Sequence, residues 1–150
     1  MTTADMTTLG GARRAAGEVS LLRLYLLRAL YAAIAFLMGA QIWPVVFSHR
    51  AWEDPMHGVA VAMLAGLTAL CLLGVRYPLA MLPLALFELV WKTIWTLAVA
   101  LPLWRAGQLT DPAMLENLTA IGVGVVICPF VIPWGYVWTH YVRAPGERWR

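Results

Sequence analysis

The run from Leu79 to Trp104, LAMLPLALFELVWKTIWTLAVALPLW, is long enough to cross a bilayer as one helix and carries an acid and a base near its middle. A charge at the centre of hydrocarbon costs at least about 2.5 kcal/mol on insertion scales, so Glu88 and Lys92 require partners. Four residues apart, with the acid nearer the amino end, they have the favoured spacing for a helical ion pair. Successive helical positions rotate by about 100°. Glu88, Trp91, Lys92, Trp95 and Thr96 are therefore expected on one polar and aromatic face.

Three further apolar blocks accompany this one. With 61% hydrophobic and 13% charged residues over 150 positions, the chain lies outside the range of soluble domains, where charged residues make up about a quarter. The expected fold is an all-α integral membrane bundle of four transmembrane helices with short loops, at about 21–47, 57–75, 79–104 and 114–142. A flexible cytoplasmic tail is expected over 1–20 and a basic cytoplasmic tail over 143–150. The first apolar run continues to Phe47, too long for the usual leader peptide, and reads as an uncleaved anchor.

In helix two, Gly58, Ala62 and Gly66 repeat at four-residue spacing, as do Ala65 and Ala69, so a neighbouring helix is expected to approach its backbone there. Pro78 is suited to start helix three. Helix four must accommodate Pro129 and Pro133, each lacking a backbone donor, and a kinked continuation is expected from Pro133. Gln41, late in helix one, suits a hydrogen bond between helices. Cys71 and Cys128 show no CxxC spacing and read as small apolar fillers.

Charge sets the expected orientation. Four spans put Arg13, Arg14, Arg23, Arg28, Arg76, Arg143, Arg148 and Arg150 on one side, against Arg50 and Arg105 on the other. The positive-inside rule then places both termini in the cytoplasm of a multi-pass protein of the cell (inner or plasma) membrane. The scattered basic residues do not form a nucleic-acid face.

The polar face of helix three suits a site that binds or helps to move a proton or a hydrophobic small molecule with one polar or cationic group, with Trp91 and Trp95 as walls. Two other readings stand beside it. Glu88, steadied by Lys92, could serve as acid or base in an isomerase or cyclase acting on a lipophilic substrate. The chain could instead be a non-catalytic subunit of a larger membrane complex or a homo-oligomer, and the ion pair could be purely structural. His49, Glu53, Asp54, His57, Asp111 and Glu116 share one side but lack metal-site spacing, and Pro55 breaks their register, so neither metal nor cofactor is expected.

Overall fold

The computed structural model describes residues 19–48 and 55–146, and the expectations for most of the amino tail, for His49, Glu53 and Asp54, and for the last four residues lie outside them. Every element among the described residues is helical. Four helices are long and apolar enough to cross a membrane: α1 (Leu21–Phe47), α2 (Pro55–Arg76), α3 (Leu82–Arg105) and the greater part of α4 (Pro112–Val131). A short α5 (Trp134–Val137) follows, continued by a π-turn over Trp138–Val142.

Prolines set most of the boundaries. Helices α2 and α4 begin two residues earlier than expected, at Pro55 and Pro112, because the missing amide hydrogen is harmless in a first turn and the ring presets φ. Helix α3 starts at Leu82 rather than at Leu79. Pro83 has no N–H to offer the Leu79 carbonyl, so it fits only the first turn, and Pro78 is left in the preceding bend. At the far end of α4 the regular ladder stops with Ile132 N–H donating to the Cys128 carbonyl, 3.0 Å. Pro133 cannot serve the Pro129 carbonyl, and the Trp134 indole N–H donates to it instead, 2.8 Å.

The helices run alternately up and down, as contacts at one end demonstrate. There the start of α1 meets the ends of α2 and α4: Tyr31 Oη donates to the Pro78 carbonyl at 3.2 Å, and Arg23 Nη1 donates to the Ile132 carbonyl at 3.4 Å. The apolar core gathers in this half, from Leu27, Tyr31, Cys71, Leu82, Cys128 and Ile132, all essentially inaccessible. We call it the closed end. Both cysteines are free and act as core fillers. Packing is uneven around the bundle: α1 lies along α2 and α3 along α4, whereas α2 and α3 meet only briefly.

Close approach on α2 occurs at a different glycine from those expected. A Cβ on Gly74 would lie 2.6–2.8 Å from the Tyr31 ring, so the aromatic face rests directly on the helix backbone. A Cβ on Gly66 would meet nothing within 4 Å, and Ala62, Gly66 and Ala69 all face outward. The buried stripe runs instead through Val61, Ala65, Thr68, Cys71 and Gly74. Small-residue spacing repeats around the whole helix, and only the large side chain opposite selects one stripe.

Gly74→Ala is expected to destabilise the fold by about 1–3 kcal/mol, the range for overpacking a filled core, because ring atoms close to the Tyr31 backbone cannot swing away. Thermal unfolding of the purified protein in detergent checks this. Unchanged stability would show that Tyr31 does not key α1 to α2.

Candidate functional site

In α3 the buried positions Leu82, Ala85, Glu88 and Lys92 form one stripe at helical spacing, turned into the bundle. Glu88 is completely inaccessible and Lys92 is 7% exposed. The Lys92 ammonium lies 3.5 Å from Glu88 Oε1, forming the expected i, i+4 pair. Glu88 Oε2 accepts from the indole Nε1–H of Trp91. Among the described residues Oε1 takes no hydrogen bond, so the ammonium satisfies it by charge rather than by direct donation.

Helix α4 makes room for this arrangement with a glycine. A Cβ on Gly124 would fall 2.5 Å from Lys92 Nζ and 2.8 Å from its Cδ, so the lysine side chain lies across bare backbone. Any larger residue there would push the ammonium away from the carboxylate.

Beyond the ion pair, toward the end of the bundle opposite the closed core, the helices separate around a cavity of about 490 Å³. Its walls draw polar side chains from all four helices: Gln41 from α1, His57 from α2, Lys92 with Trp91 and Trp95 from α3, and Asn117 from α4. Lys92 forms the floor, near the middle of α3, and His57, in the first turn of α2, stands near the mouth. Amide, imidazole and ammonium groups converge on a space otherwise lined by Met38, Leu64 and Ile121. Such a mixture of apolar wall and a few convergent polar groups is the usual character of a small-molecule site.

Of the five residues expected to share a face, Trp91, Lys92 and Trp95 line the cavity together. Glu88 does not; it lies behind Lys92 and Trp91 in the packed interior. Thr96 is also absent from the walls, its hydroxyl donating to the Lys92 carbonyl at 2.8 Å. A π-turn over Thr96–Ala100 follows and shifts the helical phase of the residues beyond it. Gln41 lines the cavity rather than bridging buried helices.

Asn117 was not singled out by its sequence context. A signal was present: it is the chain's one asparagine, set inside an apolar helix. Among the described residues, no three His, Cys, Asp or Glu side chains gather as metal ligands would.

If the Gly124 backbone supports the ammonium, Gly124→Ala and Lys92→Met are coupled. Gly124→Ala is expected to cost about 1–3 kcal/mol alone, and the two substitutions together to fall short of the sum by about 0.5–3 kcal/mol in a double-mutant cycle of unfolding. Strict additivity would refute the contact. No protein family, curated protein or solved structure matches this chain.

Proposed function

We propose that this chain is a four-pass protein of the cell (inner or plasma) membrane that binds a hydrophobic small molecule with one polar end in the cavity above Lys92. The observation that carries the reading is the convergence of polar side chains from four separate helices on one apolar-walled space, with Lys92 near mid-helix, where a charge is costly. A purely structural ion pair accounts for Glu88 and Lys92, but it gives no reason for Gln41, His57 and Asn117 to meet there.

Membrane insertion is supported by the outer surface. Phe130 is 77% exposed and Leu37 71%, and only 11% of the α4 window is buried, a surface suited to acyl chains rather than water. Exposed aromatics mark both ends: Trp43 and Trp104 at the open end, and Tyr77, Trp134, Trp138 and Tyr141 at the closed end. Arg23, Arg28, Arg76 and Arg143 fall at the closed end and Arg105 at the open one, which supports cytoplasmic termini and a cavity facing outward. In this reading the interruption at Ile132 and Pro133 is a kink that turns the aromatic residues of α5 into the inner interface.

The closed end bears on transport. Tyr31, Leu82 and Ile132 seal the inner half, so a ligand or proton that reaches Lys92 from outside goes further only if the bundle rearranges. Binding is the function the geometry supports best, with movement across as its extension. Acid/base catalysis by Glu88 gains no support, since its carboxylate faces Trp91 and Lys92 rather than the cavity.

Extraction in native membrane discs followed by mass spectrometry of the released small molecules tests the proposal. Wild type is expected to retain a discrete compound, and Trp95→Ala or Asn117→Ala to lose at least about tenfold in occupancy with unchanged expression. An identical small-molecule profile in all three would overturn the binding site. Co-purification with a larger complex and no retained compound would favour the subunit reading.

A further inference from the structure

A second hollow adjoins the cavity. Between α2 and α3, on the outer surface, a crevice of about 200 Å³ is lined by Ala60, Met63, Leu64, Phe87 and Trp91, with almost no polar surface. It shares Ala60, Leu64 and Trp91 with the polar cavity, so these three residues stand between the two. It lies on the seam between α2 and α3, which meet only briefly. The two spaces differ sharply in chemistry: one offers only hydrocarbon and aromatic contacts, the other an ammonium, two amides and an imidazole.

The polar side is biased toward donors. Lys92, which lines the space, has three N–H donors, and its partner Glu88, 3.5 Å from the ammonium, does not line it. Gln41, Asn117 and His57 can each donate as well. Among the described residues no carboxylate lines the space, because Glu88 is buried behind the indole and the lysine. A headgroup placed there borders Lys92 of the ion pair and not Glu88. Oxyanions match that field, and an ammonium opposes it.

Building on the binding reading above, we propose that the two hollows form one composite site for a single-chain amphiphile with an oxyanion head, a carboxylate or a phosphate. The head sits over Lys92 within reach of Asn117 and His57, and the acyl chain passes Trp91 into the crevice between α2 and α3. Access is lateral, from the outer leaflet, through the seam beside Met63 and Phe87.

The test uses the full chain reconstituted in zwitterionic phospholipid discs with four photoactivatable probes that share one tail: palmitic acid, hexadecyl phosphate, hexadecanol and hexadecylamine. Both oxyanion probes are expected to label the wall around Met63 and Phe87 with apparent affinity at least about tenfold above the amine, a difference of ~1.4 kcal/mol. The stronger of the two identifies the oxyanion.

Met63→Trp, which fills the crevice from an exposed position, and Asn117→Leu, which deletes a head donor, are each expected to reduce oxyanion labelling severalfold. Neither leaves a buried charge unpaired, so folding is preserved. An amine that labels as well as the acids would overturn the headgroup assignment while leaving a binding site in place. Labelling spread evenly over the outer surface and indifferent to Met63→Trp would overturn the composite site. If no probe competes with a compound retained by the wild type, this inference fails and the binding reading stands; if no compound is retained either, both fail.

Discussion

An ammonium and a carboxylate in an apolar interior each cost several kcal/mol unless they compensate one another, and the Glu88–Lys92 pair meets that requirement within a single helix. The rest of the bundle accommodates it. Trp91 donates to the carboxylate oxygen that the lysine does not face, and Gly124 withdraws its side chain so that the lysine can lie flat. Because the acid is fully enclosed and the base is not, the pair is oriented. Lys92 borders the cavity, whereas Glu88 lies wholly in the packed core.

That orientation divides the molecule into two halves with different work. At one end Tyr31 rests on Gly74, donates to the Pro78 carbonyl and closes a conventional apolar core. At the other end the same four helices stand apart, and the groups that would be costly in a sealed core become the lining of a cavity. Dense packing on one side holds the helices rigidly enough for the other side to remain open. A bundle sealed at both ends would leave Gln41, His57 and Asn117 to be satisfied by one another. With one end open, they line a cavity instead.

Much of the fold was legible from local rules. Hydrophobic blocks of the right length, prolines at first turns and the i, i+4 charge spacing each act over a few residues, so the number of helices and the charged pair on α3 follow from reading along the chain. The face of α3 was legible as far as Trp95. Thr96 keeps the α-helical phase but turns its hydroxyl back to the Lys92 carbonyl, and the π-turn that regular periodicity cannot anticipate follows it. The stripe of α2 was misread for a different reason. Glycine and alanine at four-residue spacing permit close approach but do not say to what, and Gly74 became the contact because Tyr31 of another helix lies opposite.

The sequence by itself determined that the described residues include four long apolar helices and that an acid and a base share a turn in the third, since solvent preference and helical geometry are properties of contiguous residues. Only the tertiary structure decided that the base faces a cavity while the acid does not, and that Gln41, His57 and Asn117 join it there. Those relations depend on which helices are neighbours and how each is rotated. Side-chain shape across an interface settles both, and no single segment of the chain contains that information.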